Sequence, residues 1–290
     1  MHIYVYEVAT LAALFVIASV SLNLVVARAG LLSLSHGALV GIGAYIYAVL
    51  AVNYAMPPFA AILIAILGAA AVGSLLAATS VGLDEEQFAV TTLAFNLLAT
   101  NILVNWTALT NGAYGIAQIP RFEISGFGAS QLTFLFICIV IAILVYWFFK
   151  TVSESGFGTL LLASAFDRHM VESLGANVLL LRVAAFALGS AGAGLGGALF
   201  AMHWGYISPE LFNLHLSILI LAMVIVGGAQ TMRGAAIGAM ILILAPEALR
   251  FAAFDPVAAG PLRQFVFGLL IVAAVFIRYR SSRSAARQSA

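Results

Sequence analysis

The run VATLAALFVIASVSLNLVVA, residues 8–27, contains no charged side chain, and Arg28 is the first basic residue after it. An α-helix of about 20 apolar residues is long enough to span the hydrocarbon core of a bilayer. The run therefore predicts a transmembrane helix. Because Glu7 precedes it and no basic residue does, we expect a retained first span and not a cleaved signal peptide.

Similar uncharged runs recur along the chain. Hydrophobic residues make up 64% of the 290 residues and charged residues only 8%, against about 25% charged in an ordinary soluble domain. We therefore expect an all-α fold, a polytopic transmembrane bundle of about eight to ten spans. The pair 214–229 and 234–249 is short, and each run fits a half-span helix that re-enters from one side. The candidate spans are residues 8–27, 31–52, 58–81, 88–106, 131–149, 183–202, 214–229, 234–249 and 264–277.

The positions of Lys and Arg predict the orientation, because cytoplasmic loops carry the excess of basic residues. The densest basic cluster lies at residues 278–287, so the C-terminus is expected in the cytoplasm and the N-terminus outside. Nine of the 12 basic residues then lie inside. We expect one transmembrane domain, residues 1–280, with a cytoplasmic loop at 150–182. A disordered basic tail at 281–290 would attract anionic membrane lipid.

The loop at 150–182 contains a predicted helix over residues 159–174. Its residues Leu162, Phe166, Met170 and Leu174 are four apart and would share one helical stripe. Gly175 is a plausible stop signal after it. Two interpretations stay open: the helix lies on the membrane interface, or it docks into a groove on a cytoplasmic partner.

Catalytic and metal-binding motifs are missing from the sequence. It has no phosphate-binding loop, no nucleophile elbow and no cluster of Cys or His at metal-ligand spacing, so neither a catalytic nor a metal site is expected. The net charge of +1 argues against a nucleic-acid surface. Among ionisable residues, only His36 and Glu247 fall within apolar runs. Coupling of transport to an ion gradient is therefore not expected, and the energy must come from elsewhere.

Uncharged polar residues within the spans are the remaining candidates for function. Gly37 and Gly41 would let another helix approach closely, which indicates packing. The polar side chains could bond neighbouring helices or line a path for a polar solute, and both interpretations stay open. The pattern His36-Gly37-Ala38 with Gly41 recurs at 233–238, a hint of parallel repeats. The candidate path residues are Asn23, Ser33, His36, Thr92 and Asn96.

Several blocks of the sequence resemble one known family. The runs LNLVVARAGLLSLSHGALVGIGAY (22–45), FAVTTLAF (88–95), LTNGAYGI (109–116) and SILILAMVIVGGAQTMRGAAIGA (217–239), with the long stretch 172–212, are similar to the LivM-type permease of branched-chain amino acid ABC importers. This family belongs to the LivH/LivM permease superfamily. The blocks occur in family order and cover most of the chain.

The resemblance implies a non-catalytic permease subunit of the bacterial inner membrane, with no cofactor of its own. Its implied partners are a homologous LivH-type permease, two cytoplasmic ABC ATPases that bind ATP and Mg²⁺, and a periplasmic solute-binding protein. The solute would be a branched-chain amino acid or a related small polar solute. Urea, short amides and aromatic acids are alternatives in the same family, and a stand-alone channel or facilitator is the alternative from another class.

The resemblance also implies that the loop from Gly158 to Gly175 is the coupling segment that fits the ATPase. The family usually has a basic and acidic stretch where this chain has Thr159, Leu162, Ala165 and Phe166, so this coupling helix is more apolar than the pattern. The expected coupling residues are Gly158, Phe166, Asp167, Met170, Glu172 and Gly175.

Overall fold

The computed structural model describes residues 2–79, 83–121, 131–251 and Gly268. These residues form eleven α-helices, two short 3-10 helices (Gly112–Tyr114 and Pro209–Phe212) and one pair of two-residue strands. Strands β1 (Ile116–Ala117) and β2 (Tyr206–Ile207) are antiparallel, with Ile116 opposite Ile207. The helices are α1 (His2–Arg28), α2 (His36–Asn53), α3 (Pro58–Thr79), α4 (Glu85–Asn105), α5 (Thr107–Thr110), α6 (Gln131–Glu154), α7 (Gly156–Phe166), α8 (Arg168–Ser173), α9 (Val178–Trp204), α10 (Leu214–Gly227) and α11 (Met232–Phe251).

Seven helices in the described ranges are long and apolar enough to cross a membrane. They confirm the predicted all-α polytopic bundle, and the chain is a multi-pass membrane protein. One of the seven, residues 209–227, includes α10, whose own 14 residues span about 21 Å and are shorter than the hydrocarbon core of about 30 Å. The predicted span 264–277 and the predicted tail 281–290 lie outside the described residues.

The two ends of the bundle differ in charge and in structure. At one end, which we call the basic end, Arg28 of α1 donates from Nε to Ser153 Oγ of α6 at 2.7 Å. Short helices α7 and α8 lie at this end, between α6 and α9. The other end, which we call the cap end, is built from residues 106–121 and 205–213. There Arg121 closes the last turn of α9, donating from Nη2 to the His203 carbonyl at 2.9 Å.

Helix α2 begins later than the sequence predicts. The predicted span starts at residue 31, whereas the helix starts at His36, and the connection over residues 29–35 is not helical. Gly30 has a φ of +66°, a left-handed conformation that interrupts a helix and favours glycine. Ser33, expected inside the span, therefore lies in the connection before it.

The helix predicted over residues 159–174 is two helices, so that prediction is wrong. Helix α7 ends at Phe166 and α8 begins at Arg168. Asp167 between them is extended, because its carboxylate accepts a hydrogen bond from the Met170 N–H at 3.0 Å and caps α8. The predicted stop is confirmed: Gly175 has a φ of +85° and its N–H donates to the Glu172 carbonyl.

The connection between the flanking spans is also shorter than predicted. Helix α6 continues to Glu154 and α9 starts at Val178, so residues 155–177 link them instead of 150–182.

Close helix contacts depend on glycine, as the sequence predicts. A Cβ placed on Gly37 would lie 2.7 Å from Ser217 Oγ, and one on Gly41 would lie 2.6 Å from Phe212 Cβ. Helix α9 contacts α2 in the same way, since Gly43 faces the backbone of Gly194. Small residues of this kind let membrane helices approach closely.

Candidate functional site

Backbone groups of the non-helical connection before α2 are bound by side chains of α4. The Leu34 N–H donates to Thr92 Oγ1 at 3.0 Å, and the Leu34 carbonyl accepts from Asn96 Nδ2 at 3.2 Å. Backbone that is not helical at membrane depth must find partners inside the protein, because lipid offers none. Thr92 and Asn96 meet that need.

Two further helices join the same cluster. Asn96 Nδ2 also donates to Ser217 Oγ of α10 at 2.7 Å, and the Gly37 N–H donates to the same oxygen at 2.8 Å. His36 Nε2 lies 2.9 Å from Ser21 Oγ of α1. We call this set of contacts between α1, α2, α4 and α10 the polar junction.

The polar junction lies inside the bundle and not at its surface. Asn96 is eleven residues into α4, roughly 16 Å from its first residue at 1.5 Å per residue. Ser21 is seven residues before the end of α1, about 10 Å from it. Both side chains are fully buried. The junction is therefore a structural joint at membrane depth.

The five candidate path residues are all at most 2% exposed in the structure. His36, Thr92 and Asn96 come together at the polar junction, whereas Ser33 Oγ lies 3.0 Å from Ser35 Oγ within the connection before α2. Asn23 does not join them, since its Nδ2 donates to Met232 Sδ of α11 at 3.2 Å. Ser33 bonds within its own connection, and the other four bond groups of neighbouring elements. The place of all five on a solute path stays a prediction.

Sequence reasoning missed Ser21 and Ser217, although each supplies the hydroxyl at the centre of a junction contact. Ser217 lies one turn after Asn213, whose side chain caps α10 by accepting from the His215 N–H at 2.9 Å. The Asn213 cap was an available signal for the exact start of α10, and so for the place of Ser217 in its first turn.

The residues expected to contact an ATPase lie on α7, α8 and the turn after them. Phe166, Met170 and Leu174 are 86%, 59% and 71% exposed, an unusual set of large apolar side chains outside the spans. We call these three residues the coupling surface. Gly158 is buried against the Ser153 backbone, so it positions α7 and does not itself offer a surface.

A charged pair borders the coupling surface. Arg168 donates from Nε to Glu172 Oε1 at 2.8 Å, one turn apart on α8. This hydrogen bond is the largest cause that lowers the pKa of Glu172. Both side chains are solvent-accessible, so the pair contributes little to stability. Its contribution is present above the usual carboxylate range and is lost as pH falls through the lowered pKa.

Within the described ranges, no three His, Cys, Asp or Glu side chains come close enough to hold a metal ion.

The fold defines a class, the multi-pass helical membrane proteins. The chain matches the family described as "Branched-chain amino acid transport system / permease component" over residues 4–275. It belongs to this family of transport permeases. The family resemblance expected from the sequence is thereby confirmed.

Individual relatives give the same family. The chain is 30% identical over 268 residues to the high-affinity branched-chain amino acid transport system permease protein LivM of Escherichia coli (strain K12), and 29% identical to the protein of that name from Salmonella typhimurium. Each alignment covers 84% of this chain, which spans 63% of the length of either relative. A probable branched-chain amino acid transport permease LivM of Methanocaldococcus jannaschii is 27% identical over 64% of this chain and 54% of its own length. No solved structure matches the chain significantly.

Proposed function

We propose that this chain is the non-catalytic transmembrane permease subunit of an ATP-driven importer in the bacterial inner membrane. It would carry branched-chain amino acids or a related small polar solute into the cytoplasm. The observation that carries the proposal is the family match across residues 4–275. ATP and Mg²⁺ would bind to partner ATPases, since the described helices offer an apolar contact surface and the sequence has no phosphate-binding loop.

The proposed assembly pairs this chain with a homologous LivH-type permease, two cytoplasmic ATPases and a periplasmic solute-binding protein. The basic end would face the cytoplasm, because cytoplasmic loops carry the excess of Lys and Arg. The distribution of charge supports this, with Arg28, Lys150 and Arg168 near the basic end. The cap end would then face the periplasm and receive the solute.

The mechanism we propose starts at the coupling surface. Movement of the ATPases would push Phe166, Met170 and Leu174, which are exposed at the end of α7, on α8 and directly after α8. Behind them, Leu161 and Val171 are buried, and α7 packs against α1 and α9. A push on the short helices would therefore be passed to the spans as a movement of the packed bundle, and not absorbed by a flexible loop.

The contact between α7 and the connection before α2 gives this push a specific target. A Cβ placed on Gly30 would lie 2.9 Å from the Ala165 Cβ, so the α7 helix and the connection touch. Four residues beyond Gly30, Leu34 is bound to Thr92 and Asn96. Displacement of α7 would then act on the polar junction and on the start of α2.

The coupling role is tested by reversing the charge of Glu172. We expect Glu172→Lys to abolish ATP-dependent uptake by the complete transporter, because it breaks the pair with Arg168 beside the contact surface. Membrane insertion should be unchanged, since Glu172 is exposed. Glu154→Lys is the matched control, an exposed acid at the same end of the bundle, on α6. Normal uptake by Glu172→Lys would rule out the proposed docking of α8.

The class of transporter is tested by reconstitution. Purified chain alone in liposomes should pass no solute, and flux of L-leucine or urea without ATPase and binding protein would instead establish a channel or facilitator. A thermal-shift screen of the solute-binding protein against amino acids, urea, short amides and aromatic acids would identify the substrate. Stabilisation by L-leucine, L-isoleucine or L-valine is the expected result.

A further inference from the structure

A pocket of about 330 Å³ opens at the cap end, between the last residues of α2 and the segment after α4. Its size falls within the range of about 300–1,000 Å³ found for small-ligand sites. None of the candidate path residues lines it. The lining includes Val52, Asn53, Thr107, Asn111, Gly115 and Ile116.

The pocket offers hydrogen-bonding groups that the protein itself does not use. The Asn53 amide and the Thr107 hydroxyl make no hydrogen bond to any described residue, and both residues are exposed. Asn111 donates from Nδ2 to the Gly115 carbonyl at 2.9 Å, which fixes the amide and leaves its Oδ1 oxygen to accept from a ligand. Because no charged side chain lines the pocket, it suits a solute without net charge.

The backbone around the pocket is strained and firmly held. Ala55, Asn111 and Gln118, the non-glycine residues with positive φ in the described ranges, have φ of 48°, 60° and 58° and lie on or beside the lining. Such conformations persist only where surrounding structure enforces them, and they cluster at ligand sites. Gly115, at a φ of +71°, packs against the Ile207 carbonyl. The next residue, Ile116, is opposite Ile207 in the strand pair, and this pairing fixes the part of the lining that Gly115 and Ile116 form.

An apolar space adjoins this polar pocket. A second cavity of about 500 Å³ lies between α2, α3 and α4, with aliphatic and aromatic residues such as Ile46, Leu50 and Ile102 in its wall. Leu109 lines both spaces and stands between them. A ligand in the polar pocket could therefore place an aliphatic group against Leu109 while its polar end stays among Asn53, Thr107 and Asn111.

We propose that the cap pocket is a binding site for a small solute with no net charge, a polar head and an aliphatic body. The Oδ1 oxygens of Asn53 and Asn111 accept from an ammonium or amide N–H of the head, and the Thr107 hydroxyl donates to its carboxylate or carbonyl oxygen. The aliphatic body rests on Leu109. Its role as the first contact of an imported solute rests on the proposed function.

The test is thiol labelling of the full chain in nanodiscs. Ala108→Cys, at an exposed lining residue that makes none of the proposed contacts, should react with a charged methanethiosulfonate, and L-leucine should protect it. At about four times its dissociation constant the solute would slow labelling about five-fold, since only the unoccupied fraction reacts. L-Glutamate, which carries a net charge, and urea, which has no aliphatic body, should protect far less. Wild type serves as the blank because its single cysteine, Cys138, is buried.

Tyr114→Cys is the matched control, exposed at the same end of the molecule but not part of the lining. Its labelling should be independent of L-leucine. Equal labelling of Ala108→Cys with and without L-leucine would overturn the proposal, as would equal protection of both variants. Uptake by the wild-type transporter is measured separately. Normal uptake without protection refutes only the pocket, whereas protection without uptake refutes the transport function and keeps the binding site.

Discussion

Asn96 shows what a single amide does at membrane depth. It is fully buried, and its Nδ2 donates both to the Leu34 carbonyl and to Ser217 Oγ. Its Oδ1 has no described hydrogen-bond partner. Without Asn96, the Leu34 carbonyl would lack this donor, which is costly at membrane depth because lipid offers no replacement. The Asn96 side chain therefore stabilises the non-helical connection before α2.

Replacing this amide should destabilise the protein more than replacing an exposed one. Asn96→Leu leaves the Leu34 carbonyl without a donor, at a cost of about 1–3 kcal/mol in the free energy of unfolding. Asn101→Leu removes an exposed amide of the same helix, whose Nδ2 bonds only the Leu97 carbonyl, and should change stability by less than about 0.5 kcal/mol. Thermal unfolding of both variants in detergent measures the difference, and equal melting temperatures would contradict the assigned role of Asn96.

The polar residues of α4 show a feature that hydropathy does not predict, the rotation of a membrane helix about its axis. Thr92 and Asn96 face the bundle and bind Leu34, whereas Asn101 on the same helix is exposed. The apolar residues around them are spread over all faces, because a membrane helix can be apolar towards both lipid and protein. Hydropathy therefore predicts the span but not its rotation. The rotation is determined by the broken connection before α2, whose partners are distant in sequence.

Helix α7 and the connection over residues 29–35 pack directly against each other. Gly30 touches Ala165, and the coupling residue Phe166 follows directly. The packing is tight enough that one added methyl group has no space. Under the proposed mechanism, this contact would pass a displacement of α7 to the connection.

Gly30→Ala should therefore uncouple ATP hydrolysis from uptake. The variant places a Cβ 2.9 Å from the Ala165 Cβ and imposes a φ of +66° on a residue that rarely adopts it. Because the connection must shift, we expect a loss of about ten-fold in uptake per ATP hydrolysed, equivalent to about 1.4 kcal/mol. Gly156→Ala is the matched control on α7, since nothing lies within 4 Å of its Cβ position. Full coupling in Gly30→Ala would show that this contact carries no movement.

The two ends of α8 show which helix boundaries can be predicted from a sequence and which cannot. The stop at Gly175 follows from a local property, a positive φ that glycine adopts without strain. The break at Asp167 could not be predicted from the spacing, because the four-residue pattern from Leu162 to Leu174 continues across it. Asp167 is a good capping residue, but an interior acid in an amphipathic helix has the same sequence pattern. Only the hydrogen bond to Met170 distinguishes the two.

The spans and the cap of the molecule depend on different kinds of sequence information. Each span follows from its own hydropathy, so composition and run length predict the bundle. The cap depends on contacts between distant segments, such as Ile116 with Ile207 and the Tyr47 hydroxyl with the Pro120 carbonyl. Neither pair has a local signal. The cap pocket is therefore not predictable from the sequence, although the block LTNGAYGI (109–116) forms part of it.

The orientation of the whole molecule can be tested with one residue at each end. Tyr114 at the cap end and Phe166 at the basic end are 85% and 86% exposed, so they form a matched pair. If the basic end is cytoplasmic, Tyr114→Cys should react with a membrane-impermeant thiol reagent on intact cells, and Phe166→Cys only after permeabilisation. The physical reason is that basic segments are retained in the cytoplasm during insertion. The buried Cys138 makes wild type the unlabelled control. Labelling of Phe166→Cys on intact cells, with Tyr114→Cys protected, would invert the proposed topology and place the cap pocket on the cytoplasmic side.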